Sequence, residues 1–406
     1  MRAIAVSPQA RLNGTVTTVV IGAGQAGLAV SRELGLRGVD HVVLEADNVA
    51  SAWRNRWDSF SLVTPNWTLD LPGSPYDGDD PEGHVARDEI VTYLDSYARR
   101  FAGPIHTGVR VTRLARHRLG FELDTSEGPL LADSVVVCTG AFQQSHRPPL
   151  AGHFPAGIAV LDGSGYRRPS ELPDGGVLIV GSGQTGLQLA EELHLDGREV
   201  TVACGRAPWI PRRLGDLDTV TWINRTSFLD QAVSTLPPGA RLVANFQATG
   251  RDGGHDLHYR VLQEMDITMT GRLTSVEGHL ARFADDLADS VAFGDARYED
   301  LRKLLLSEVP GAPELPEPEP FRATPPTSLD LRGVSTVIFT TGYRPDYRWV
   351  EFPVFDDVGY PRVDAELRTS VPGLFFCGVH GLRVRRSGLM FGVGQDAAIV
   401  AQSVAP

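Results

Sequence analysis

Two stretches of this chain place glycines at the spacing that brings backbone against a phosphate. Gly22-x-Gly24-x-x-Gly27 follows Thr17-Thr18-Val19-Val20-Ile21, and Gly181-x-Gly183-x-x-Gly186 follows Val177-Leu178-Ile179-Val180. In each, the first glycine permits a tight turn and the second keeps a Cβ away from a pyrophosphate. The third lets the next helix lie close on the strand, so its free N–H groups point at the anion. One such turn is a weak signal, because glycine turns after strands are common. The ends of the following strands carry more. His41-Val42-Val43-Leu44-Glu45 stops at a carboxylate, about 20 residues past the turn, where an acid accepts hydrogen bonds from an adenosine ribose. Glu199-Val200-Thr201-Val202-Ala203-Cys204-Gly205-Arg206 stops at a guanidinium, with Arg212 and Arg213 beyond it. A carboxylate there would repel a 2′-phosphate, and a guanidinium forks onto it. Two such sites in one chain point to hydride transfer between two dinucleotides.

The elements that must position these turns repeat as well. Each glycine unit is answered later by a buried strand ending in Thr-Gly: Val135-Val136-Val137-Cys138-Thr139-Gly140 for the first, Val337-Ile338-Phe339-Thr340-Thr341-Gly342 for the second. The pattern predicts an α/β protein with two Rossmann-like dinucleotide-binding domains. Residues 1–15 read as a flexible tail. Glu45 suits the unphosphorylated adenosine of FAD; Arg206 suits NADPH over NADH. Between the motifs, Arg87–Phe101 presents Ile90, Val91, Leu94, Tyr97, Ala98 and Phe101 on one helical face. Val109–Ala115 and Gly120–Thr125 read as strands, and Leu62–Trp67 as a short strand broken by Pro65. Asp216–Arg260 reads as irregular helical decoration over the cleft, and Val309–Pro326 as an exposed Pro- and acid-rich crossing.

Composition excludes several classes of function. A net charge of −12 over 406 residues argues against nucleic acid and anionic membrane surfaces as partners. No apolar run approaches the roughly 20 residues that span a bilayer. Met1–Asn13 lacks a signal-peptide core, so a cytoplasmic location is expected. Cys138, Cys204 and Cys377 form no C-x-x-C pair, which argues against a redox dithiol and against a structural disulfide. Lys303, the only lysine, sits among Leu301, Leu304 and Leu305 at helical spacing, which nearly excludes Schiff-base chemistry. His255-Asp256-Leu257-His258 has no further His or Cys nearby, so no metal is expected.

The loop Ser51–Phe60 mixes aromatics with arginines. Arg54 is placed to pair with pyrophosphate, and Trp53 or Trp57 to wall an isoalloxazine ring, although packing beneath a long loop suits any one of them equally. The candidate FAD contacts are Gly22, Gly24, Gln25, Ala26, Gly27, Glu45, Ala46, Trp53, Arg54, Trp57, Thr64, Val111, Thr139 and Gly140. At the other end of the chain they include Thr341, Gly342, Tyr343, Gly378, Gly392 and Gly394, the last two at the start of a final helix aimed at the flavin pyrimidine. The candidate NADPH contacts are Gly181, Gly183, Gln184, Thr185, Gly186, Arg206 and Arg212.

Gly22–Gly27 with Glu45, Gly181–Gly186 with Arg206, Thr340-Thr341-Gly342-Tyr343-Arg344 and Gly392–Ala398 together resemble the class B flavin-containing monooxygenases. The resemblance runs from Val16 onward and is greatest to the compact, soluble bacterial branch related to the plant YUCCA enzymes. It implies an FAD-binding domain of residues 16–170 and 325–406, with an NADPH-binding domain and its helical decoration, residues 171–324, inserted between them. It implies that NADPH reduces FAD across a cleft and that O2 then forms a C4a-(hydro)peroxyflavin, which oxygenates a small-molecule nucleophile at nitrogen, sulfur or a related centre. It further implies Asn66 as a hydrogen-bond donor to the oxygen adduct and Gln184 as a contact on the nicotinamide side. The family pattern Phe-x-Gly-x-x-x-His, often continued by Ser-x-x-Tyr, is only partly kept: Tyr166 is present, but Asp162 and Gly163 replace His-Ser. A reductase or oxidase without oxygen transfer, and a non-catalytic flavin-binding redox sensor, remain the alternatives. The expected partners are a small-molecule substrate and O2, with a homodimer left open.

Overall fold

The structure is a computed structural model describing residues 15–237, 239–243, 245–322 and 324–405. Of the predicted tail, only Thr15 falls inside these limits, and it opens the first strand. Strand β1 (Thr15–Ile21) consists entirely of β-branched residues, which favour the pleated conformation. It pairs in parallel with β2 (His41–Glu45) on one side and β6 (Gly128–Val137) on the other, with α1 (Gln25–Leu36) between the first two. Helix α2 (Arg87–Phe101) lies where the sequence places it and precedes β3 (Ile105–Thr107). Antiparallel strands β4 (Val111–His117) and β5 (Gly120–Thr125) extend the sheet beyond β6, in the order β3-β2-β1-β6-β5-β4.

A parallel sheet must be covered on both faces. Val19, Val20 and Val135–Val137 have no solvent exposure at all.

The chain leaves this sheet through β7 (Gln144–Ser145) and enters a second one. Its strands are β8 (Ala159–Asp162), β9 (Gly176–Val180), β10 (Val200–Ala203), β11 (Thr268–Thr270) and β12 (Val334–Phe339), in the order β11-β10-β9-β12-β8 and all parallel. Helix α3 (Gln184–Leu195) follows the second glycine turn, and α4 (Leu287–Glu308) lies farther along and carries Leu301, Leu304 and Leu305. The predicted domain limits need correcting. Strands β8 and β12, which the boundaries 16–170 and 325–406 assign to the first domain, hydrogen-bond in the second sheet. The chain instead crosses at β7 and returns through β13 (Tyr343–Arg344), and these two strands pair antiparallel as a ribbon between the sheets.

After the return, β14 (Leu374–Phe376) adds to the first sheet beside β6, and α5 (Met390–Val404) packs against α1. Helix α5 begins two residues before Gly392. The Val309–Pro326 crossing is partly a strap on α4: Leu315 is buried, and the Tyr298 hydroxyl donates to the Pro316 carbonyl at 2.6 Å.

Both chain ends meet at one contact. A Cβ on Gly378 would lie 2.2 Å from the Ala26 Cβ, and its φ is +75°. Gly378→Ala should therefore cost about 2–4 kcal/mol, from left-handed strain and overpacking together. A fall in the denaturant midpoint at constant slope is the expected reading.

Candidate functional site

At the first glycine turn the three glycines do different work. Gly22 has φ +104°, and a Cβ there would sit 2.9 Å from the Cys138 carbonyl oxygen. A Cβ on Gly27 would lie 1.8 Å from the Gly22 carbonyl oxygen. These two are glycine because the protein's own backbone is in the way. A Cβ on Gly24 would meet nothing within 4 Å, and this residue caps α1 in an extended conformation. The open space therefore lies at the helix N-terminus, where a pyrophosphate is favoured, and the residues fit an adenine dinucleotide. The buried Glu45 carboxylate accepts from the Ala23 N–H at 2.7 Å, the Asp47 N–H at 2.9 Å and the Ser51 hydroxyl at 3.4 Å. An ionised carboxylate offers about four acceptor directions, so one remains for a ribose hydroxyl.

Ala46, half-buried, continues from Glu45. The segment after β3 runs along the same end: Val109 N–H donates to the Glu45 carbonyl at 2.9 Å and Gly108 N–H to Asp47 at 3.1 Å. Val111, half-buried, opens β4 just beyond. Val109 was absent from the sequence candidates; its only signal is an apolar residue directly after a positive-φ glycine.

The second turn repeats the geometry. Gly181 has φ +111° with its Cβ position 2.7 Å from the Thr340 carbonyl oxygen, and a Cβ on Gly186 would lie 2.0 Å from the Gly181 carbonyl oxygen. Gly183 caps α3 in an extended conformation, as Gly24 caps α1. Thr185 packs its methyl 3.3 Å from where Gly163 would carry a Cβ. Beyond β10, Gly205 faces open space and Arg206 is exposed, with no carboxylate within salt-bridge distance among the described residues.

Several candidates have other occupations. Arg212 is 2% exposed; its guanidinium donates to the Asp218 carboxylate at 2.6 Å and to the Val63 carbonyl at 2.8 Å. It is a buried structural ion, unlike the exposed Arg206. Arg54 pairs with Asp95 on α2 at 2.5 Å, on the outer surface rather than over the glycine turn. Trp57 is buried edge-on against Phe60 at 5.0 Å, beside Gln188 and Glu192 of α3. Asn66 is buried, its amide donating to the Asp80 carbonyl at 2.9 Å and accepting from the Val85 N–H at 2.7 Å, so one N–H remains free. Thr64 pairs its hydroxyl with Thr68 at 2.6 Å. Gly392 and Gly394 are packing glycines: a Cβ on either would meet the Arg386 carbonyl at 2.2 Å or the Pro72 ring at 2.7 Å.

Other candidates bond to one another and to neighbouring backbone. Trp53 Nε1 donates to Gln25 Oε1 at 3.0 Å, and Gln25 in turn donates to the Gly388 carbonyl at 3.2 Å, next to Ala26 and Gly378. Gln184, the first residue of α3, donates to the Phe246 carbonyl at 3.0 Å. Thr139 accepts from Gln143 at 2.8 Å, and Gly140, with φ +68°, accepts from the Tyr347 hydroxyl at 2.6 Å. Thr341 donates to the His146 carbonyl, Gly342 accepts from the His146 N–H at 2.9 Å, and the Tyr343 ring lies 5.8 Å from Phe142. These last residues build the ribbon between the sheets.

The cleft walls hold buried ionisable groups. Burial pushes the Glu192 carboxyl up, and Ser59, from the first domain, donates to it at 2.7 Å. His255 is bonded to Glu191 at 2.5 Å, and that bond raises the imidazole above its usual range. The His258 ring lies tilted against Trp209 at 4.5 Å, and burial lowers its pKa to about 4. The two histidines of the His-Asp-Leu-His stretch thus face different partners.

Residues 19–227 match the family described as pyridine nucleotide-disulphide oxidoreductase. An uncharacterized CzcO-like oxidoreductase of Geobacillus kaustophilus is 32% identical over 387 residues, covering 94% of this chain and 96% of that protein. Indole-3-pyruvate monooxygenase YUCCA1 of Oryza sativa is 29% identical over 210 residues, about half of each chain (50% and 51%). Among solved structures, a flavin-containing monooxygenase from Stenotrophomonas maltophilia superposes with a TM-score of 0.69 at 20% identity, covering 97% of this chain and 98% of that one.

Two outcomes follow from the burial pattern. Arg212→Met should lose about 3–5 kcal/mol, because Asp218 is left charged and unpaired in the interior. Arg206→Ala should leave the unfolding midpoint unchanged. The His255–Glu191 bond raises a folded-state pKa, so its stabilisation is present below the unfolded histidine value of about 6.5 and is lost as pH rises through the folded value. The melting-temperature gap between wild type and His255→Gln should accordingly be widest near about pH 6 and narrow as pH rises above about 6.5.

Proposed function

The chain belongs to the pyridine nucleotide-disulphide oxidoreductase family, among the class B flavin-containing monooxygenases, and from this we propose an NADPH-dependent enzyme that transfers one oxygen atom of O2 to a small nucleophile. The observation that carries the reading is the contrast between two matching turns: a buried carboxylate, Glu45, closes one and an exposed guanidinium without an acidic partner, Arg206, closes the other. FAD bound at the first turn would supply the redox and oxygen-activating chemistry that side chains lack.

The chain's own residues bind, orient and enclose. The N–H groups at the start of α1 and α3 receive the two pyrophosphates, and the missing side chains of Gly24 and Gly183 allow the approach. Gln25 holds the first turn to Gly388, which steadies the floor under the flavin. Gln184 holds the second turn to Phe246 and so fixes the nicotinamide-side wall. Asn66 ties the Asp80–Val85 loop down and presents its remaining N–H as a donor toward reacting oxygen.

Water is kept out by the decoration of the second domain, which is fastened to the first. Trp67 Nε1 donates to Thr221 at 2.8 Å, Arg386 pairs with Asp230 at 2.8 Å, and the Val233 N–H donates to the Arg383 carbonyl at 2.9 Å. A dry cleft of this kind protects a reduced cofactor from unproductive loss of peroxide.

The test uses purified holoenzyme supplied with NADPH and ¹⁸O2 against separate panels of amines, thioethers and oxo acids. Incorporation of one labelled atom into a product of any panel supports oxygen transfer. Stoichiometric peroxide release with every panel overturns it in favour of an oxidase. Arg206→Ala should raise the KM for NADPH about 10- to 100-fold, the loss of a charge-assisted fork, while leaving the KM for NADH unchanged. Equal effects on both would remove the 2′-phosphate assignment.

A further inference from the structure

The two glycine turns are joined by one line of contacts, and that line contains an arginine with no acid. From the first turn, Gln25 reaches the Gly388 carbonyl. Three residues earlier, Arg385 lies over the Phe228 ring at 4.3 Å. Phe228 is 6.3 Å from Phe246, whose carbonyl is held by Gln184 at the second turn. Phe391, 5.1 Å from Trp67, borders the same region, and all four aromatic rings are half-buried. What lies between the two dinucleotide sites is thus walled by aromatic surface and by Arg385.

The neighbouring arginines are neutralised. Arg383 pairs with Asp396 at 2.8 Å, Arg386 with Asp230 at 2.8 Å, and Arg241 with Asp356 at 3.1 Å. Arg385 is half-buried, yet its Nε donates only to the Gln231 amide oxygen at 3.0 Å, and no carboxylate lies within 4.0 Å of it among the described residues. Burial lowers its pKa with no opposing ion pair. His380 beside it is held below its usual range by burial and by Arg241 and Arg385, so the imidazole is neutral and the guanidinium is the fixed charge there. A partly desolvated cation held over a phenyl ring, with its terminal nitrogens unspent among the described residues, is a preorganised fork for a planar oxyanion. In a chain of net charge −12 the protein has acids to spare for that position and places none.

We propose that Arg385 receives the carboxylate of the substrate, whose apolar or aromatic body lies against Phe228, Phe246 and Phe391. The inference rests on the monooxygenase reading and names its substrate class: small aromatic or apolar carboxylic acids. The competing source of the same oxyanion chemistry is a phosphate of one of the dinucleotides.

The test is a binding titration on FAD-loaded enzyme, following the flavin absorbance as 3-phenylpropionate or its neutral isostere 3-phenylpropionamide is added. The carboxylate should bind at least about 10-fold more tightly than the amide. Arg385→Gln should erase that preference, and Arg385→Lys should keep part of it, with FAD content and the Kd for NADPH unchanged in both. Equal binding of the two probes to wild type, or binding of neither, overturns the proposal, and this comparison needs no variant to fold. A loss of FAD or NADPH affinity in Arg385→Gln assigns the guanidinium to a cofactor phosphate and overturns it as well. Because the titration needs no turnover, its failure in an enzyme that still oxygenates another class would leave the monooxygenase reading standing. Failure of that reading would show instead in the ¹⁸O2 experiment.

Discussion

Backbone touching backbone at the carboxyl ends of the parallel strands is the constraint on which this molecule depends. At both turns the third glycine brings a helix so near its strand that a Cβ would fall about 2 Å or less from a carbonyl oxygen, 1.8 Å for Gly27 and 2.0 Å for Gly186. Because α1 sits this low, its N–H groups open directly above the strand ends instead of being lifted away by side chains. The C-terminal segment closes the first site in the same manner, with Gly378 against Ala26. A ligand-binding edge made by close approach is rigid, since the neighbouring strands β6 and β14 are buried on both faces and cannot yield.

Upon this repeated frame the two sites differ through electrostatics alone. Glu45 is buried and its lone pairs are largely committed to Ala23, Asp47 and Ser51. Arg206 is exposed and has no carboxylate within salt-bridge distance among the described residues. Arg212, only six residues later, shows the opposite use of the same side chain. Sealed in with Asp218 and beside His84, it joins segments from both domains, where replacing either partner would strand a charge. Sequence spacing cannot tell these two arginines apart, because burial is decided by the turn at Pro211 and the loops from the first domain that fold over it.

That distinction separates what was legible from what was not. The glycine turns, Glu45, the amphipathic helix Arg87–Phe101 and the strand Gly120–Thr125 follow from local rules of period, turn chemistry and charge, and all appear at the expected residues. The domain limits do not, since β8 is a four-residue edge strand whose partner, β12, lies far along the chain. The internal repeat already paired the Val337–Gly342 ending with the second glycine turn, and it was a better guide than composition. Arg54 and Trp57 were read from residue type and Asn66 from the resemblance, but their partners, Asp95, Phe60 with α3, and Asp80 with Val85, are tertiary. Glycines inside a helix are ambiguous for a similar reason: Gly392 and Gly394 make room for the Arg386 carbonyl and for Pro72.

The departure at Asp162-Gly163 takes on a physical meaning in this frame. Asp162 ends β8 and pairs with Arg147 at 2.6 Å, which ties the second sheet to the segment just beyond β7 of the crossing ribbon. A side chain at Gly163 would stand 3.3 Å from the methyls of both Thr185 and Thr340, so the glycine lets this segment press against the second turn. The link between the domains therefore runs through an ion pair and a close contact at this point. It is reinforced on the far side of the cleft by the buried Arg212–Asp218 pair and by the fastened decoration. Exposed pairs such as Arg147–Asp162 contribute little stability individually, on the order of 1 kcal/mol or less, whereas the buried one is costly to break. The buried cluster is thus the stronger of the two links, and the ribbon side is held by the more exposed and individually weaker contact.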